Sequence, residues 1–244
     1  MPHLILSDIH GNLEALTAVL ADAQGLYGQI YCLGDLVGYG ADPNPVVEWA
    51  RNSVAAIVRG NHDKISVGLD SLENYNPGAQ ASALWTREAL TPESRAYLER
   101  LPRGPLRLEA GGEGFDLVHG SPADEDEYLI FPDDVYRMVP YLDTRLSFFG
   151  HTHVQGGFLI ARNGVRRLSP NGTLVLDRGY LYLVNPGSVG QPRDGNPWAA
   201  YVLYYPEDGA VEYRRAEYDV EAAAEKIRAA GLPEPLAARL FAGA

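Results

Sequence analysis

Cysteine is almost missing from this chain, and that narrows its chemistry at once. The single Cys32 permits no internal disulfide and no thiolate metal cluster. It lies in the apolar run Ile30-Tyr31-Cys32-Leu33, which predicts a buried strand thiol rather than a reactive one. Long hydrophobic runs are also missing: no stretch is apolar enough to span a bilayer, and the N-terminus has neither a basic segment nor a small-residue cleavage pattern. A soluble, cytoplasmic protein without a membrane partner is expected. Positive charge is scarce, with 20 Lys and Arg against 32 Asp and Glu and a net charge of -12. Recognition of a long nucleic acid calls for clustered basic residues, so such a partner is not expected. Lys64 and Lys226 are the only lysines, a bias from which no function follows.

The 244 residues, 46% of them hydrophobic, suffice for one full core, and no repeat or linker divides them. One domain over 1–244 is expected. The stretch around which the rest is organised is Ser7-Asp8-Ile9-His10-Gly11-Asn12-Leu13. The strand Leu4-Ile5-Leu6 delivers a carboxylate and an imidazole two positions apart, and extended backbone would point both the same way. Asn12 caps a helix running to about Gln24. Strand Gln29–Leu33 then runs into Gly34-Asp35, a helix spans Pro43–Arg51, and strand Val54–Val58 ends at Gly60-Asn61-His62-Asp63. From 64 to 104 the pattern changes to a loop and two helices, Ala79–Leu90 and Pro92–Leu101, which reads as a small helical insertion.

Strands return at 106–108 and 115–118, the latter leading to His119. Asp124-Glu125-Asp126-Glu127 reads as a solvated loop, followed by a helix near 132–141. Leu146–Phe149 opens onto Gly150-His151-Thr152-His153. Short alternating segments with turns at Asn163-Gly164 and Asn171-Gly172 suggest antiparallel hairpins. A glycine loop, 185–190, two more strands (199–205 and 211–218) and two helices close the chain.

Five strands thus end at Asp8, Asp35, Asn61, His119 and His151, each placing a ligand-type residue at a carboxyl end, where sites form in open α/β sheets. Of 6 histidines, only His3 lies outside these places. Tyr39, Tyr75, Trp85, Tyr128 and Tyr136 supply aromatic surface that could stack a nucleobase.

In order, Asp8-Ile9-His10, Gly34-Asp35, Gly60-Asn61-His62-Asp63, His119 and Gly150-His151-Thr152-His153 resemble the five motif blocks of the calcineurin-like metallophosphoesterases. Loop 185–194 resembles the bacterial branch grouped with diadenosine-tetraphosphatase-like and small phosphodiesterase proteins. The resemblance implies an α/β fold with a two-sheet β-sandwich flanked by helices, and two divalent metal ions on one edge. It implies Asp8, His10 and His153 as ligands of one ion, Asn61, His119 and His151 as ligands of the other, and Asp35 as a bridge. A carboxylate can serve two cations about 3.5–4 Å apart, whereas an imidazole serves one. Nitrogen and oxygen donors suit manganese, with iron, zinc, cobalt or nickel as alternatives.

Two dications against two carboxylates leave a cationic pocket that draws in phosphate despite the acidic chain. The resemblance implies hydrolysis of small phosphate mono- or diesters, nucleotides among them, by in-line attack of a hydroxide held between the ions. His62 matches the family's proton donor to the leaving oxygen. Gly34-Asp35-Leu36-Val37-Gly38-Tyr39-Gly40 lacks the second acidic residue and the arginine of the protein phosphatases, which argues against a protein substrate. Arg193 is a candidate phosphate grip, with pairing to Asp194 as its alternative. A scaffold that keeps the fold without catalysis is the competing reading.

Overall fold

The computed structural model describes residues 1–244. Two six-stranded sheets lie face to face. The first has the order β3-β2-β1-β11-β12-β9 and the second β4-β5-β6-β10-β7-β8. The first contains β1 (His3–Leu6), β2 (Gln29–Cys32), β3 (Ala56–Ile57), β9 (Thr173–Val175), β11 (Ala199–Tyr205) and β12 (Ala210–Ala216). The second contains β4 (Leu106–Ala110), β5 (Glu113–Leu117), β6 (Leu146–Phe148), β7 (Gly156–Ala161), β8 (Gly164–Arg167) and β10 (Leu181–Asn185).

Both faces of β1 and β11 are covered, which is why they read as continuous apolar runs rather than alternating ones. Leu4, Leu6, Tyr201 and Leu203 face a helical layer, while Ile5, Val202 and Tyr204 face Phe115, Leu117 and Phe148 of the second sheet. The helical layer on the first sheet includes α1 (Leu13–Asp22), α2 (Pro43–Ser53), α5 (Pro92–Leu98), α7 (Val220–Ala229) and α8 (Glu234–Ala242). Helix α6 (Pro132–Met138) covers the second sheet with Val135 and Met138. The arrangement is helix, sheet, sheet, helix, as the resemblance implied. Helices α3 (Asn61–Ser66) and α4 (Pro77–Ala89) stand at the carboxyl edge.

In the first sheet β1, β2 and β3 are parallel, and in the second β5, β6 and β10 are parallel. Their carboxyl ends open onto one rim of the sandwich. The segments 154–176 are only partly hairpins. β7 and β8 pair antiparallel, but β9 crosses over to pair with β12, Ala210 opposite Val175. The Asn171-Gly172 turn is therefore a crossover between sheets, and local turn chemistry has no means of reporting which sheet receives the next strand. No helix is long and apolar enough to cross a membrane.

Candidate metal centre

The rim is built from strained turns. The non-glycine residues with positive φ are Asp8, His10, Asp35, Tyr39, His151 and His153. Left-handed backbone costs about 1–3 kcal/mol at such a residue and persists only where the surroundings enforce it. Here it is confined to one place. The extended backbone expected at Asp8 and His10 is therefore not what aims them: β1 ends at Leu6, and both residues adopt φ near +50 (54° and 52°). Tight approach of neighbouring turns also requires glycine. A Cβ on Gly60 would stand 2.0 Å from Asp35 Oδ1, and one on Gly150 would stand 2.0 Å from Ser7 Oγ.

Each site carboxylate has one satisfied oxygen and one without a partner. Asp8 Oδ2 accepts from Ser7 Oγ (2.5 Å) and from the amide of His151 (3.1 Å), and Asp35 Oδ1 accepts from the amide of His62 (2.8 Å). Asp8 Oδ1 and Asp35 Oδ2 are buried with no hydrogen-bond partner. Asp8 Oδ1 lies 3.3 Å from His153 Nε2 and 3.9 Å from His10 Nε2. Asp35 Oδ2 lies 3.6 Å from His10 Nε2 on one side and 3.4 Å from His119 Nε2 on the other. Asn61 Oδ1 is 3.1 Å from His119 Nε2.

The histidines are held from behind. Nδ1 of His10, His119 and His153 donates to the carbonyls of Val37 (3.0 Å), Leu33 (2.8 Å) and Gln191 (2.6 Å), which turns each Nε2 inward. His151 is reversed: its Nε2 donates to the Asp126 carbonyl at 3.1 Å, leaving Nδ1 to face the site. His10 Nε2 and His153 Nε2 stand 3.1 Å apart, an arrangement in which two neutral imidazoles oppose their lone pairs. Donors about 2.1 Å from one ion, at tetrahedral to octahedral angles, are roughly 3.0–3.4 Å from each other. Those spacings and the two orphaned carboxylate oxygens fit divalent cations.

Two groups of potential ligands are compact: Asp8, His10, Asp35 and His153, and Asp35, His119 and His151. Asp35 belongs to both. His151 and His153, two positions apart, diverge into different groups because both are left-handed with Thr152 turning between them, its amide bonded to the Gly150 carbonyl. Burial lowers the pKa of His10, of His153 and, to about 3, of His151. Burial also works to lower that of His119, but the Asp35 carboxylate overrides it and raises it to about 10. Burial works to raise both carboxyls; the surrounding imidazoles, His153 foremost for Asp8 and His119 for Asp35, hold them well below the usual carboxylate range. Cation binding at ligands of this kind competes with protons.

Three supporting groups were not legible as such. Asp63, the last residue of the third block, is fully buried and accepts from the amides of Asp35 (2.8 Å), Leu36 (2.8 Å), Val37 (3.3 Å) and Gly60 (2.9 Å). It ties the Asp35 turn to α3. The acidic stretch 124–127 is not simply solvated either. Glu125 is buried and receives Arg59 through two hydrogen bonds (2.7 and 2.9 Å) and Lys64 at 3.4 Å, while Lys64 also bonds Asp126. That ionic knot fixes the loop whose Asp126 carbonyl orients His151. The glycine loop buttresses the ligand turns: Ser188 Oγ donates to the Asp8 carbonyl (2.8 Å), and Asn185 Nδ2 to that of Gly150 (3.0 Å). The clustering of small polar residues in 185–190 was the available signal.

His62 is buried above the pair of ligand groups, with Nδ1 unpartnered, and burial lowers its pKa to about 4. It lines a cavity of about 310 Å³ with Tyr39, Asn61, Tyr75, Tyr128 and His151. Of the five aromatics considered for stacking, Tyr39, Tyr75 and Tyr128 border this cavity. Trp85 packs against the helical core, and Tyr136 is exposed on α6. Tyr128 stacks on His151 with ring centroids 3.8 Å apart. Arg193 does not pair with Asp194, which binds Arg215. Its guanidinium lies over the Tyr39 ring at 5.7 Å and donates to Gln191 Oε1 at 3.0 Å. His3 lies in β1 against Tyr31 and Tyr204, apart from the site.

Comparison with known proteins gives a consistent picture. The sequence model of the calcineurin-like phosphoesterase superfamily domain matches residues 1–209. An uncharacterized protein of Methanocaldococcus jannaschii is 42% identical, the match covering 98% of this chain and 97% of that protein. A crystal structure of a metallophosphoesterase from Sphaerobacter thermophilus superposes with a TM-score of 0.85 at 39% identity, covering 100% of this chain and 99% of the other. A hypothetical protein from Pyrococcus horikoshii OT3 shares the fold with a TM-score of 0.81 at 23% identity, covering 100% and 98%.

Proposed function

The chain belongs to the calcineurin-like phosphoesterase superfamily, and from that premise we propose that it is a phosphoesterase dependent on two divalent cations that hydrolyses small phosphate mono- or diesters. The observation that carries the reading is the position of Asp35 Oδ2, buried without a partner between His10 Nε2 and His119 Nε2. Asp8, His10, Asp35 and His153 would hold one ion, and Asp35, Asn61, His119 and His151 the other. The all-nitrogen and oxygen donor set suits manganese, iron, zinc, cobalt or nickel. Bound there, the cations supply Lewis-acid polarisation of the phosphoryl group and an activated water for in-line attack.

The residues of the chain do the rest. Asp8 and Asp35 contribute only two negative charges, so the loaded pocket attracts an anion. His62, neutral at pH 7 when the pocket holds no ligand, faces the cavity from the start of α3. A phosphate beside it opposes the lowering of its pKa by burial and equips it to give a proton to the leaving oxygen. Arg193 supplies a guanidinium for a phosphoryl oxygen. The aromatic wall of Tyr39, Tyr75 and Tyr128 suits an aromatic or nucleoside alcohol portion. The helical stretch 64–104, which we read as an insertion in a single domain over 1–244, encloses one side of this cavity.

The test is turnover of bis-p-nitrophenyl phosphate and p-nitrophenyl phosphate by protein reconstituted with each divalent ion in turn. Turnover that saturates at two equivalents of manganese is expected. No turnover with any ion overturns the hydrolytic reading in favour of a scaffold that has kept the fold.

A further inference from the structure

The cavity over the metal centre is bordered by carboxylates and tyrosines, and no Lys or Arg lines it. Asp70 and Asp126 stand at its wall together with Tyr39, Tyr75 and Tyr128. Both carboxylates bind the same ammonium, Lys64 Nζ, Asp70 at 3.3 Å. That cation is set behind them: the Lys64 side chain is 8% exposed, against 40% and 41% for Asp70 and Asp126. Lys64 also reaches Glu125 at 3.4 Å, and Glu125 holds Arg59. Three carboxylates thus share two cations, and the negative charge left over is carried at the cavity wall. The start of α4 borders the cavity too, through Asn76 and Ala79, but offers an anion little. Pro77 has no N–H, and that of Ala79 is taken by Asn76 Oδ1 at 3.0 Å.

His62 sets the direction in which a bound ester extends. It is 4% exposed and makes no side-chain hydrogen bond, and its Nδ1 lies against Gly38, where a Cβ would stand 2.7 Å from it. Nε2 is the atom left for the ester oxygen, and the carbon beyond that oxygen continues into the cavity. Tyrosine faces suit a flat ring or a cation alike, and Tyr39 already carries the Arg193 guanidinium at 5.7 Å. The carboxylates beside Tyr75 and Tyr128 decide between the two, because they attract a cation and repel a second phosphate. We infer that the alcohol portion of the preferred ester carries an ammonium group, held beside Tyr75 and Tyr128 and against the carboxylates of Asp70 and Asp126. A ligand with linked phosphates would set its second phosphate against those same carboxylates and is disfavoured. The position of the phosphate itself rests on the proposed phosphoesterase reading.

Isothermal titration of the manganese-loaded protein with the monomethyl esters of 2-aminoethylphosphonate and of propylphosphonate tests the inference. At neutral pH each ester carries one phosphonate charge, the P–C bond resists hydrolysis, and the two differ only in an ammonium against a methyl group. The 3-aminopropyl and butyl pair extends the reach by one carbon. In at least one pair the ammonium ester is expected to bind about tenfold more tightly than its neutral counterpart. Asp70→Asn keeps the oxygen that accepts from the Ser71 amide (2.7 Å), and Asp126→Asn keeps the carbonyl that orients His151. Each removes one charge from the cavity wall and should lower the ratio about threefold. Equal affinities within both pairs, or an unaltered ratio in both variants, overturn the inference and leave the phosphate position standing. Failure of every ester to bind the protein that holds two ions refutes the phosphate reading, and the inference falls with it.

Discussion

Glu125→Gln is the most informative single change, because it keeps the shape of the side chain and removes only its charge. Glu125 is 7% exposed and accepts both Nε and Nη2 of Arg59, with Lys64 at 3.4 Å. Removing one member of a fully buried pair costs about 3–5 kcal/mol. Arg59 is 24% exposed and can rehydrate, and Lys64 keeps Asp126 and Asp70, so the loss should be nearer about 2 kcal/mol, or roughly 4–8 °C in Tm for a chain of this size. Urea unfolding of the metal-free protein measures it. Loosening the loop also frees the Asp126 carbonyl from His151 Nε2. The ion held by His151 should then bind 10- to 100-fold more weakly, by order of magnitude for an outer support, as read by competition with a chelating dye. Burial works to raise the Glu125 pKa, but the Arg59 hydrogen bonds and the Lys64 charge bring it below its ordinary 4.5. Its stabilising effect is therefore complete above 4.5 and lost as pH falls through the lower folded value, so the gap between the two proteins should close with acidification. A difference under about 0.5 kcal/mol at pH 7.5, together with unchanged metal affinity, would refute the argument.

Asp35→Asn keeps a residue tolerant of left-handed backbone while removing the one carboxylate common to both ligand groups. Elemental analysis should show both ions weakened, and a variant that retains two equivalents contradicts the bridging role. Asp63→Asn presents an amide nitrogen to two of the four backbone N–H groups in either orientation, a loss of about 2–5 kcal/mol at two stranded donors. A melting curve matching that of the unaltered protein would remove Asp63 as the clamp of the Asp35 turn. His62→Asn should depress hydrolysis of a phenyl ester at least about tenfold more than that of its p-nitrophenyl counterpart, since only the poor leaving group needs a proton. Equal losses for both esters would exclude proton donation by His62.

The linear order of residues carried the fold class and named the residues that the structure gathers at the candidate site, for identifiable reasons. Strands β1 and β2 are apolar over Leu4–Leu6 and Ile30–Cys32, β5 and β6 end on the buried Leu117 and Phe148, and each is followed within three residues by its ligand-type residue, so Asp8, Asp35, His119 and His151 announce themselves. Asn12 and Asn76 begin helices by capping, which is a local interaction. What was not legible depended on contacts between segments far apart in the chain. The switch of β9 to the other sheet, the burial of Asp63 under the Asp35 turn, and the capture of Glu125 by Arg59 and Lys64 leave no periodic trace, because a carboxylate looks alike in sequence whether it faces water or four amides. The left-handed turns at Asp8, His10, His151 and His153 likewise exist only because neighbouring loops hold them. Sequence alone determined which donors are available and at which strand ends they stand; only the packing of the two sheets decided that Asp35 faces both groups and that His151 presents Nδ1, since each is a consequence of distance in space rather than position along the chain.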